Sequence, residues 1–90
     1  MSKILVKRPD KVELEALGID RWGTWECSPS TFPWQYDETE TCYVFEGRVT
    51  VETPEGESVE IGPGDLVTFP KGLSCTWKVH EKIRKVYRFG

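Results

Sequence analysis

From Gly18 onward the chain is cut into short β-prone runs by glycine and proline, and that segmentation limits the fold more than any other feature. "TCYVFEG" and "RVTVET" flank Gly47, and "PEG" at Pro54–Gly56 forms a turn. "SVEI" follows, then a second turn at "GPG" (Gly62–Gly64), then "DLVTF", which Pro70 ends. After "PKG" come "SCTWKV" and "IRKVYRF". Upstream, "WGTWECS" and "TFPWQY" are also aromatic and β-branched. Such strands, at spacings of roughly 8–12 residues, argue for an all-β sandwich or barrel. Closing the sheet also removes the exposed edges that a small β protein must otherwise protect.

Before Gly18 the texture differs. Ile4–Val6 reads as a short strand. In "PDKVELEALG", Asp10 caps a helix, Glu13 completes a capping box and Gly18 suits the helix end. The expected architecture is therefore an all-β single-domain barrel with one short N-terminal helix. Residues 1–30 form an N-terminal strand and helix arm, and residues 31–90 form the barrel core.

Ninety residues with 38% hydrophobic and 30% charged side chains suit one soluble globular domain. A chain this short buries only roughly 60–65% of the surface its unfolded form exposes, so a partner subunit would help it. The net charge is −3 with no cluster of Lys or Arg, which argues against nucleic acid and anionic membranes as partners. No apolar run approaches the ~18 residues of a membrane span, and no signal-peptide core is visible. Cys27, Cys42 and Cys75 are an odd count without a CxxC pair. A disulfide framework or zinc knuckle is not indicated, and a cytoplasmic location is expected.

Two pieces resemble the paired motifs of the cupin superfamily. Gly64, Pro70 and Gly72 fall in register with the second motif, whose His position is Cys75 and whose Asn position is Val79. Glu40 and Gly47 match the Glu and closing Gly of the first. Its two His positions are Trp34 and Tyr36, and its leading Gly is Ser28. More narrowly, "DETETCYVFEGRV" and "GDLVTFPKGLSCTWKV" resemble small single-domain cupins grouped with the cupin domain of ureidoglycine aminohydrolase. The resemblance implies a jelly-roll β-barrel, usually dimeric, with a site in the barrel mouth and a metal held by three His and one Glu.

This chain departs from that ligand set at all three His positions. A transition metal generally needs three or four protein ligands. Of Trp34, Tyr36, Glu40 and Cys75, only Glu40 and Cys75 are strong donors. The one histidine, His80, lies an odd offset from Cys75, hence on the opposite strand face. The expectation is no tightly held metal, with Glu40 and Cys75 as the residual ligands if a divalent transition metal binds.

Alternation turns Trp34, Tyr36, Glu40, Cys42 and Cys75 toward one concave face, with Trp77 beside Cys75. Aromatic walls around one carboxylate suit a small organic ligand bearing an amine, amide or hydroxyl; the alternative is a barrel filled by Trp34 and Trp77. Glu40 among aromatics is the candidate general acid or base, or else a structural carboxylate bonded to Tyr36, Thr39 or a backbone amide, or one exposed at the rim. Cys75 lacks a basic neighbour to make a thiolate, so it reads as wall rather than nucleophile. Tyr43 and Phe45 face outward and need cover, from a homodimer or from the segment around Trp22 and Trp25. The basic residues of "EKIRKVYR" read as a solvated strand face. Three functions stay open: a metal-free small-molecule binder, a metal-dependent enzyme resembling ureidoglycine aminohydrolase, and a structural dimer with a filled barrel.

Overall fold

A computed structural model describes residues 4–90; the first three residues of the expected arm lie outside the described residues. The elements in chain order are β1 (Leu5–Lys7), α1 (Lys11–Leu17), a single 3-10 turn (Ile19–Arg21), β2 (Gly23–Cys27) and β3 (Ser30–Gln35). Then come β4 (Glu40–Glu52), β5 (Ser58–Ile61), β6 (Leu66–Phe69) and β7 (Ser74–Phe89).

Helix α1 starts and stops where its caps dictate. Asp10 accepts the Glu13 backbone N–H at 2.8 Å, and Gly18 closes the helix in the left-handed region at φ 68°. The capping box is only half made, because the Glu13 carboxylate pairs with Lys7 instead of returning to the cap.

Two pairs of expected strands are single long ones. "TCYVFEG" and "RVTVET" run together as β4, and "SCTWKV" and "IRKVYRF" run together as β7. Gly47 bends β4 without ending it. At φ 102° it sits among successive register shifts between Val44 and Val49, the signature of bulges. The alternation changes parity across the bend. Glu40, Cys42 and Val44 point inward before it, and Val49 and Val51 after it.

The bend divides the antiparallel sheet into two facing halves. One half runs β1, β6, the start of β4, the end of β7, and β2. The other holds β5, the end of β4, the start of β7, and β3. The fold is a single-domain jelly-roll barrel. Strand β2, expected in the arm, is part of the barrel wall through its pairing with β7. The N-terminal segment is fastened by β1 pairing with β6 and by Arg8, whose guanidinium donates to the Pro63 carbonyl at 2.8 Å.

Between the halves lies a core of Cys42, Val44, Val49, Val51, Ile61, Val67, Phe69 and Ile83, all essentially inaccessible. Outside, Tyr43 and Phe45 meet edge-on at 5.2 Å, and the Arg84 guanidinium lies 4.8 Å from the Phe45 ring centre. Part of the cover for these aromatics is thus Arg84 of the same chain. Trp22 carries Arg88 at 5.3 Å, and Trp25 faces the barrel interior rather than Phe45.

Candidate functional site

One end of the barrel is open. A cavity of ≈ 310 Å³ is lined by Trp25, Phe32, Trp34, Tyr36, Glu40, Trp77, Lys85, Tyr87 and Phe89. Its walls are aromatic because strand register brings the rings together. Phe32 pairs with Trp77 across β3 and β7, and their rings stack at 6.2 Å and 14°. Trp25 stands edge-on to both, 6.4 Å from Phe32 and 5.9 Å from Trp77. Tyr36 stacks on Phe69 at 4.8 Å and accepts the Trp77 indole N–H at 3.2 Å, which locks both rings.

The polar element is an ion pair. Lys85 Nζ lies 2.6 Å from Glu40 Oε2, and the two side chains are only 6% and 5% exposed. Register explains how a lysine comes to be buried. Lys85 is the cross-strand partner of Val44 on β4 and of Trp25 on β2, both inward-facing. Its side chain then reaches along the inner surface to Glu40. The ammonium also faces the rings of Trp77 at 4.7 Å, Trp25 at 5.1 Å and Tyr87 at 5.9 Å. An aromatic cage and a carboxylate thus hold an internal cation.

Lys85 corrects the reading of "EKIRKVYR" as a solvated face. Lys82 is exposed and Arg84 half-buried, and they pair with Glu26 and Glu46, but Lys85 points inward. It shares the parity of Ile83 and Tyr87 on β7, so period-two alternation carried the signal. The expected structural partners of Glu40 are corrected too: its partner is this lysine, not Tyr36, Thr39 or a backbone amide.

The expected site residues divide into two groups. Trp34, Tyr36, Glu40 and Trp77 line the cavity together. Cys42 and Cys75 do not. Cys42 is wholly inaccessible within the packed core. Cys75 belongs to that core as well, and borders a second recess with Pro33, Trp34, Thr53 and Pro54. The two readings of the barrel each hold for one part: the middle is filled and one mouth is open. Trp34 stands at the rim, 49% exposed, and fills nothing. Sequence reasoning missed Lys85, Trp25, Phe32, Tyr87 and Phe89 as lining residues.

The titratable neighbours are held in their neutral forms. Burial pushes the Cys42 thiol up to about 12, with Glu40 adding to the rise and Lys85 opposing it. Burial also raises Cys75, against the Trp77 N–H and with Glu40. Burial, then the Glu40 charge, lifts the Tyr36 phenol far above its ordinary range. None of the three is a ready anion.

The residues present do not fit the metal that the cupin resemblance implies. The four family positions offer an indole, a phenol kept protonated, a carboxylate bound to an ammonium, and a thiol outside the cavity. Among the described residues, no group of three or more His, Cys, Asp or Glu side chains is placed to hold a metal ion. His80 lies on the outer face, 2.7 Å from the Thr50 hydroxyl.

A barrel of this topology with an open mouth defines a small cupin. Residues 14–87 match the EutQ-like cupin domain, and the chain belongs to that family. It is similar to the crystal structure of a DUF861 family protein from Thermotoga maritima, at 45% identity and a TM-score of 0.96, over 98% of this chain and 100% of that one. It is also similar to a putative ethanolamine utilization protein Q from Salmonella typhimurium, at 29% identity and a TM-score of 0.67, over 73% of this chain and 53% of that one. The EutQ protein of Clostridium difficile matches at 25% identity and a TM-score of 0.68, over 96% of this chain and 66% of that one. No curated protein matches the chain. No helix among the described residues is long and apolar enough to cross a membrane.

Proposed function

We propose that this small cupin binds a small organic molecule in its aromatic barrel mouth without a tightly held metal. The observation that carries this reading is the Glu40–Lys85 ion pair within an otherwise apolar, open cavity. A cavity of ≈ 310 Å³ lies at the small end of ligand pockets, which run from roughly 300 to 1,000 Å³. The rings supply contact area, and the ion pair supplies orientation. Where a related barrel would place a metal against the retained glutamate, this chain places the Lys85 ammonium. That cation polarises a bound group without coordinating it.

The alternatives are a metal-dependent enzyme resembling ureidoglycine aminohydrolase and a structural dimer. The first draws support from Glu40 alone. The second draws on the filled middle of the barrel and the outward Tyr43 and Phe45. A homodimer and a cytoplasmic location are part of this proposal, the latter in keeping with three free cysteines. Light scattering in solution tests the dimer.

A thermal-shift screen of small metabolites, run with and without chelator, tests the function. Expected is a stabilising compound whose effect survives the chelator and is lost in Glu40→Gln. Stabilisation only with an added divalent cation, abolished in Glu40→Ala, supports the metal enzyme. A broad screen without any stabilising compound supports the structural module.

A further inference from the structure

Resting on that reading of the cavity, the residues go further and specify the chemical class of the ligand. We infer that the site takes a flat, electrically neutral molecule carrying a carbonyl, such as an amide, lactam or enone, with its oxygen accepting from Lys85 and Tyr36.

The first argument is charge. Glu40 and Lys85 carry the charges lining the cavity, of opposite sign and 2.6 Å apart. The site is already neutral. A carboxylate or ammonium ligand adds an uncompensated charge to an apolar enclosure, or must prise the pair apart. A neutral dipole does neither.

The second argument is the donor inventory. An ammonium has three N–H donors. Lys85 gives one to Glu40, and its other neighbours among the described residues are ring faces, which are not conventional acceptors. The Tyr36 oxygen accepts from Trp77, while its own O–H has no acceptor among the described residues. Burial keeps that phenol protonated, so it is a standing donor. The spare donors of Lys85 and Tyr36 lie beside one spare acceptor, Glu40 Oε1; a carbonyl oxygen answers the donors, and an amide N–H can answer the carboxylate as well.

The third argument is shape. Phe32 and Trp77 are nearly parallel, and Trp25 stands edge-on to both. Faces and edges so arranged favour a planar partner.

A matched ligand series separates these ideas. Benzamide, benzoate and benzylamine share a ring and differ in charge. Each is titrated into the full chain, up to its solubility limit, by tryptophan fluorescence and thermal shift. Benzamide is expected to bind at least about tenfold more tightly than either ion. Tyr36→Phe, which keeps the ring, is expected to weaken benzamide several-fold, and Lys85→Met to abolish its binding. Tighter binding of benzoate or benzylamine overturns the ligand class and leaves the cavity reading standing. Equal benzamide affinity in folded Tyr36→Phe and Lys85→Met overturns the donor assignment. If none of the three binds, the metabolite screen distinguishes the cases: with a stabilising compound there, only the class fails; without one, both fail.

Discussion

Replacing Lys85 by Met keeps a long side chain and removes its charge, which leaves Glu40 buried without a partner. Both side chains are about nineteen-twentieths buried in the native protein, so solvent does little to screen the loss. Breaking a buried pair from one side typically costs about 3–5 kcal/mol. The cation–π contacts with Trp77, Trp25 and Tyr87 add to this, at about 2 kcal/mol in desolvated settings. Against a total stability of about 5–15 kcal/mol, such a variant is expected to be near its limit. Removing both charges, as Glu40→Leu with Lys85→Met, eliminates the orphan. The double variant is expected within about 1 kcal/mol of the parent or above it. Urea unfolding of the parent, both single variants and the double variant yields the coupling energy. Here Lys85→Met is expected to lose at least about 3 kcal/mol, with a coupling of about 2 kcal/mol or more. A loss under about 1 kcal/mol is what an exposed pair gives, and would refute the buried ion pair.

Gly47→Ala is expected to cost more than about 3 kcal/mol or prevent folding. A Cβ there would lie 2.5 Å from the Lys82 carbonyl oxygen and 2.6 Å from the Ile83 Cα, at a φ of 102°. Gly64→Ala, whose Cβ would meet only the flexible Arg8 guanidinium, is expected to cost less in the same urea assay. Alkaline pH should destabilise the fold through Cys42. Its folded value is about 12 against an ordinary 9.0, so its contribution is intact below pH 9. It then falls by up to about 1.4 kcal/mol per pH unit as the unfolded thiol ionises and the folded one does not. Cys42→Ala should flatten that slope; an unchanged slope contradicts the burial of the thiol. In native protein at neutral pH a thiol reagent should label Cys27 first, with Cys42 and Cys75 silent until unfolding, as counted by intact mass.

The β architecture was legible because its signals are local. Turn residues mark the strand ends, and the helix caps at Asp10 and Gly18 work as their chemistry requires. The lengths of β4 and β7 were not legible. Gly47 looks like a strand break in one dimension, and only its pairing across to β7 shows it to be a bulge. The cavity was half visible for the same reason. Trp34, Tyr36, Glu40 and Trp77 lie on recognisable motif positions or alternating strands. Cys42 shares the inward parity of Glu40 but sits deeper, where the core closes, and parity does not report depth. Lys85 was hidden by its chemistry. A lysine in a basic run reads as solvated, and only the cross-strand partners Val44 and Trp25 turn it inward.

An internal ammonium, rather than a metal, stands against Glu40 in the barrel mouth. The decisive measurement is a crystal structure of the native protein, soaked with zinc or manganese ions and read by anomalous scattering. Expected are Lys85 Nζ in hydrogen-bond contact with Glu40, Trp25 and Trp77 around it, and no anomalous peak in the barrel mouth. A well-occupied metal on Glu40, with Lys85 swung out of its cage, would overturn that arrangement.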